Sequence, residues 1–197
     1  TTLPAQPVIA GDTSFCTGTN GVFFITPLNG ASSYTWTVPA GGSILSGQNT
    51  DSISVAWTNA PGGNICVIAA NVCGSGPQDC FSVTVHDQPV ANAGNGATVC
   101  DSVFGLAAIP DLGGSSGAWT TISGPGTATF SNPNAATTTV TVSAYGAYSF
   151  LWTESNGGCS DNDTVAVQLN QSPLTGQVTR TCDATNQNYT VSFPVNG

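Results

Sequence analysis

The chain has 197 residues, enough for two ordinary domains, and only 6% of them are charged, against roughly 25% in a typical soluble protein. Ten carboxylates stand against one cation, Arg180, and the formal charge is −9. Such a surface repels phosphate backbones and anionic lipid faces, which excludes nucleic acid as a partner.

No run reaches the ~18 apolar residues of a membrane-crossing helix, so no membrane insertion is expected. Seven Cys point to an oxidising compartment, secreted or at the cell surface. Thr1-Thr2-Leu3-Pro4 carries neither the basic nor the apolar part of a leader, and an internal piece of a longer protein is expected.

Taken in chain order, the pattern is one of short β-branched or aromatic runs. Val22-Phe23-Phe24-Ile25, Tyr34-Thr35-Trp36-Thr37-Val38, Ile53-Ser54-Val55-Ala56-Trp57 and Cys66-Val67-Ile68-Ala69-Ala70 are separated by Gly41-Gly42 and Pro61-Gly62-Gly63. Nothing repeats at helical period. Strands punctuated in this way predict an all-β fold in which each apolar face meets a second sheet. The linker His86-Asp87-Gln88-Pro89 ends in Pro, which fixes φ and disfavours a helix before it.

The pattern then starts again. Pro7…Cys16, Pro89…Cys100 and Pro173…Cys182 open alike, with the cysteines 84 and 82 residues apart. Trp36 follows Cys16 by 20 residues and Trp119 follows Cys100 by 19; both sit where a sandwich buries a core tryptophan. Ser52-Ile53-Ser54-Val55 corresponds to Thr138-Thr139-Val140-Thr141-Val142, and Asn71-Val72-Cys73-Gly74 to Asn156-Gly157-Gly158-Cys159. A period of about 80–85 residues suits one small β-sandwich rather than a solenoid unit. The expected modules are 1–86 and 89–170, joined by short stiff linkers, with 173–197 opening an incomplete third.

By phase, Cys16 is expected to bond Cys73, and Cys100 to bond Cys159, each tying the start of a module to its last hairpin. Cys66 and Cys80 are placed to face each other across that hairpin, and Cys182 is left unpaired within the chain. Zinc is not expected, because the cysteines lack the close pairing of zinc ligands. With no Lys, Lys–Asn or Lys–Asp isopeptide cross-links are unavailable, so disulfides must supply the covalent reinforcement.

Catalytic chemistry is scarce. The chain has one His, His86 at a linker, one Glu and no G-x-S-x-G motif, and no enzyme is expected. Asp161 and Asp163, two apart on a strand, are too close for the paired carboxylates of glycoside hydrolysis. They invite a calcium reading instead, with Asp101 and with Glu154 nearby; otherwise no cofactor is expected. Trp57, Trp152 and Tyr145 are the aromatics that a carbohydrate-binding module would present, and such a module is the alternative function.

Several stretches resemble the PKD-like and immunoglobulin-like repeats of Bacteroidota cell-surface proteins, including gliding-motility adhesins exported by the type IX system. Tyr34 to Gly41, Ser46-Gly47-Gln48-Asn49-Thr50, Ala91-Asn92-Ala93-Gly94, Gly124 to Ser131 and Tyr145 to Phe150 carry this resemblance. It implies tandem immunoglobulin-like (PKD-like) β-sandwiches acting as a structural or adhesive stalk or filament. The implied partners are neighbouring modules of the same long chain, self-assembled filaments, and a surface or glycan ligand. It also implies O-glycosylation in Asp-Ser/Thr-apolar triplets, making Ser52, Ser102 and Thr164 candidates; glycans there would solubilise a charge-poor surface and shield sheet edges.

Overall fold

In a computed structural model, residues 2–172 are described throughout; beyond them only the backbone of 174–175, 179–182, 189–192 and 195–196 is described. All regular structure among the described residues is β. Two compact units result. The first comprises Thr1–Val90, Leu112–Ser115 and Ser155–Asp161; the second comprises Ala91–Asp111, Ser116–Glu154 and Asn162–Gly197.

The first unit holds β1 (Ser14–Cys16), β2 (Asn20–Phe24), β3 (Ser33–Thr37), β4 (Gly42–Ser46), β5 (Ser52–Trp57), β6 (Gly62–Asn71) and β7 (Gly74–His86). One sheet runs β1-β7-β6-β3 and the other β2-β5-β4. Side chains alternate across each strand, so Ile53, Val55 and Trp57 of β5 and Ile65, Val67 and Ala69 of β6 share one buried core with Phe23 and Trp36. The Trp36 indole N–H donates to the Thr50 carbonyl at 2.9 Å, so its ring is buried with its polar atom satisfied.

Strand β3 ends this sheet, and an open edge invites further pairing. Here the Gln48 side chain closes it, accepting from the Trp36 N–H at 3.2 Å and donating to the Trp36 carbonyl at 3.0 Å. The turn that delivers Gln48 depends on Gly47, whose φ is +86° and where a Cβ would lie 1.9 Å from the Ser52 carbonyl oxygen. No other residue fits.

The second unit holds β8 (Thr98–Val99), β9 (Val103–Ala107), β10 (Ser116–Ser123), β11 (Ala128–Phe130) and β12 (Thr137–Val142), and most of β13 (Gly146–Asn156) and β14 (Cys159–Leu169). Its sheets run β8-β14-β13-β10 and β9-β12-β11. Matching β8–β14 to β1–β7 in order makes the two topologies the same. Leu106, Trp119, Val140, Tyr148, Phe150, Trp152, Val165 and Leu169 are among the residues of a separate core, with Trp119 and Trp152 at 5.2 Å between ring centres.

Beyond residue 172, β15 (Leu174–Thr175) pairs antiparallel with β18 (Val195–Asn196), and β16 (Thr179–Cys182) with β17 (Tyr189–Ser192). The expected third module and the bonding of Cys182 lie outside the residues whose side chains are described.

The first strand of each repeat runs parallel to the last. Ser14, Phe15 and Cys16 lie opposite Thr84, Val85 and His86; Thr98 and Val99 lie opposite Gln168 and Leu169. This pairing decides the cysteine chemistry.

Candidate functional site

Two disulfides are present among the described residues. Cys66 and Cys80 face each other in the β6–β7 ladder and are bonded, at 4.1 Å between Cα atoms. The expected Cys16–Cys73 and Cys100–Cys159 bonds are not formed: Cys16 is bonded to Cys159, 143 residues on, with Cα atoms 5.7 Å apart. The reason is the direction of the first strand. Cys16 is level with His86, the last residue of β7, whereas Cys73 directly precedes the first residue of that strand. Thirteen residues at ~3.3 Å each separate the two levels by roughly 40 Å, far beyond disulfide reach. Cys100 likewise follows Val99 at the end of β14, while Cys159 begins that strand. Cys100 is an exposed free thiol, and Cys73 is exposed.

The turn bearing Cys159 is built to fit against the end of β7. Asn156 donates through its side-chain amide to the Asp87 carbonyl at 2.9 Å, and Gln88 donates to the Ser160 carbonyl at 2.7 Å. The backbone N–H of Gln88 donates to the Thr17 hydroxyl, and the Thr17 N–H to the His86 carbonyl, both at 2.9 Å. At Gly157, with φ +59°, a Cβ would lie 2.0 Å from Nδ1 of His86; the imidazole occupies the space a side chain would need. His86, which the sequence places at a linker, is half-buried at this turn. The Cys159 sulfur is buried 3.9 Å from the carbonyl oxygens of Phe15 and His86. As a disulfide sulfur it has no proton to donate, so these are packing contacts.

The carboxylates considered for calcium do other work. Asp163 accepts the Ala93 N–H and the Thr164 N–H, each at 2.8 Å. Its counterpart in the first repeat, Asp79, accepts the Ile9 N–H at 3.0 Å. Both therefore pin the segment that leads into their own sandwich. Asp101 accepts the Val103 N–H at 3.2 Å, and Asp161 is half-buried. Glu154 is fully buried at the end of the inward row Tyr148-Phe150-Trp152, and its two oxygens accept the Asp111 N–H at 3.1 and 3.2 Å. Among the described residues, no three of His, Cys, Asp and Glu gather as a metal site would require.

Ala93 is buried, so Asp163→Ala leaves its N–H without an acceptor. The expected loss is about 1–3 kcal/mol, measured by denaturant unfolding, and Asp79→Ala at the matching position has an effect of the same order. A neutral Asp163→Ala removes the pinning role.

Two of the three aromatics considered for carbohydrate stacking belong to the cores. Trp57 is 1% exposed and Trp152 2%, so neither offers a face to a sugar; Tyr145 is exposed. The alternation of β5 and β13 placed both tryptophans inward. A hollow of about 370 Å³ in the second unit is bordered by Gly96, Thr98, Tyr148 and Gln168, and the Tyr148 hydroxyl is already donated to the Ala144 carbonyl at 2.8 Å. Of the glycosylation candidates, Thr164 is exposed, while Ser52 and Ser102 are half-buried. Sequence reasoning did not find the Gln48 clamp, the Asp79 and Asp163 anchors or the seat of His86 against Gly157. Of these only the aspartates carried a sequence signal, Asp79 and Asp163 standing one period apart.

Residues 3–84 match the family described as the PKD-like domain. No curated protein matches the chain. Among solved structures, the chain is similar to the N-terminal eight Ig domains of Down Syndrome Cell Adhesion Molecule, at 15% identity over 85% of this chain and 25% of that one, with a TM-score of 0.52. It is also similar to Drosophila OTK extracellular domains 3–5, at 12% identity over 86% of this chain and 60% of that one, with a TM-score of 0.50. The chain thus spans a quarter and three-fifths of those two fragments. The likeness is one of fold: tandem immunoglobulin-like sandwiches. No helix among the described residues is long and apolar enough to cross a membrane.

Proposed function

We propose that this chain is a load-bearing repeat region of a secreted cell-surface protein, a stalk or filament of the adhesin type that its repeats resemble. The modules would be residues 1–86, 89–170 and a third opening at 173. The observation that carries this reading is the Cys16–Cys159 bond. Tension applied to the two ends of the chain enters at the first strand, crosses the sulfurs and leaves through β14. Residues 17–158, which hold most of both cores, are bypassed. A carbohydrate-binding module needs exposed aromatics in a cleft, and two of its three candidates are buried. The exposed hydroxyl of Thr164 is the best placed of the three glycosylation candidates.

Pulling single molecules by their termini tests the reading. The bypassed stretch would extend by about 500 Å at ~3.6 Å per residue. The total extension of the oxidised chain is expected to fall short of that of the reduced chain by about this amount. Equal extension with and without reductant overturns the load-bearing role assigned to the bond.

A further inference from the structure

The Cys16–Cys159 bond follows the repeat, and three contacts recur at the period of that repeat. First, Cys16 directly follows Phe15, which lies opposite Val85 in a parallel pair, and Cys100 directly follows Val99, which lies opposite Leu169 in the equivalent pair. Second, the last strand is tied to the lead into the first by the same backbone bond in each repeat: the Thr84 N–H donates to the Thr13 carbonyl at 2.8 Å and the Gln168 N–H to the Ala97 carbonyl at 2.9 Å. Third, the asparagine of each hairpin turn reaches the segment that leads into its own repeat. Asn71 donates to the Thr2 carbonyl at 2.8 Å and Asn156 to the Asp87 carbonyl at 2.9 Å, both across 69 residues. In the second repeat this docking delivers the turn cysteine, Cys159, to the strand-end cysteine of the repeat before it.

Cys100 occupies the strand-end position in the second repeat, exposed and with its thiol free. We infer that Cys100 bonds the hairpin-turn cysteine of a further module of the same kind following the second repeat, so that each disulfide of this class joins one repeat to the next. The inference rests on the reading of the chain as part of an array. Cys182 is at strand-end phase and is therefore not the partner. The chemistry is disulfide exchange: two thiols lose two protons and two electrons, one S–S bond forms, and a disulfide carrier such as oxidised glutathione is reduced to its thiols.

The test inserts an in-register copy of residues 87–170 after Asn170 of the full chain, with Ser160→Thr in the copy as a mass mark. After oxidation with the glutathione couple, thiols are alkylated and the chain is cut with pepsin, since a chain with one Arg and no Lys gives trypsin almost nothing to cut. The expected product is Cys100 of the original repeat linked to the marked Cys159, with no more alkylated thiols than in the parent chain. Cys100→Ser in the original repeat then leaves the marked Cys159 alkylated and Cys16–Cys159 intact. Alkylation of both Cys100 and the marked Cys159 while Cys16–Cys159 persists overturns the inference, as does Cys100 joined to Cys73 or Cys182. A parent polypeptide without a further module would sink the array reading and with it the bond assigned to Cys100, even where the inserted copy forms that bond. Failure of the bond in the inserted copy overturns the inference and leaves the array reading untouched.

Discussion

Trp36→Ala is expected to destabilise the first unit by about 3–5 kcal/mol, the range for truncating a fully buried large aromatic. The ring is 1% exposed, and its loss also leaves the Thr50 carbonyl without its indole donor. Trp119→Ala should do the same to the second unit, where the ring packs on Trp152 and donates to the Ala136 carbonyl at 3.2 Å. Domains are marginally stable, so a loss of this size is a large share of the whole. Hydrogen exchange resolved by segment is the measurement, because it separates the two cores. Each substitution should strip protection from the strands of its own unit and leave the other unit's central strands protected. Collapse of protection in both units from either substitution would mean one shared core, contrary to the two clusters described.

The second large effect concerns the long disulfide. In the chain-entropy account, a bond closing a loop of this length restricts the unfolded ensemble by roughly 5 kcal/mol, against roughly 3 kcal/mol for a loop like that of Cys66–Cys80. Replacing Cys16 and Cys159 together by Ser avoids a buried orphan thiol. The pair of substitutions should lower the denaturant midpoint by more than the matching pair at Cys66 and Cys80. The turn Asn156–Cys159 should also lose protection first, because it then leans on hydrogen bonds such as those from Asn156 to the Asp87 carbonyl and from Gln88 to the Ser160 carbonyl. A double variant as stable as the native chain would show that the bond constrains nothing the cores do not already hold.

Much of this architecture could be read from residue order, because strands carry their own period. Ile53-Val55-Trp57 and Tyr148-Phe150-Trp152 alternate with polar neighbours, and both rows are buried. That same alternation already told against Trp57 and Trp152 as sugar platforms, since a residue two places from Val55 or Phe150 shares its face. Cys66 and Cys80 were legible because a hairpin places residues equidistant from its turn opposite one another. The long bond was not. Whether a first strand lies parallel or antiparallel to the last is decided by packing of the whole sandwich, and no local pattern records it. Phase alone aligned Cys16 with Cys73, although the parallel pairing sends them to opposite ends of β7. The carboxylates misled for a related reason. Asp163 and Glu154 look like ligands because charge is so rare in this chain, yet both spend their oxygens on backbone N–H groups.

The force path, the covalent reinforcement and the station of Cys100 all follow from which sulfur Cys16 meets. Peptide mapping of the unreduced 197-residue chain after alkylation decides that directly. The expected result is Cys16 joined to Cys159 and Cys66 joined to Cys80, with Cys100 recovered alkylated. Recovery of Cys16 linked to Cys73 and Cys100 linked to Cys159 would contradict the parallel first strands and the force path drawn from them.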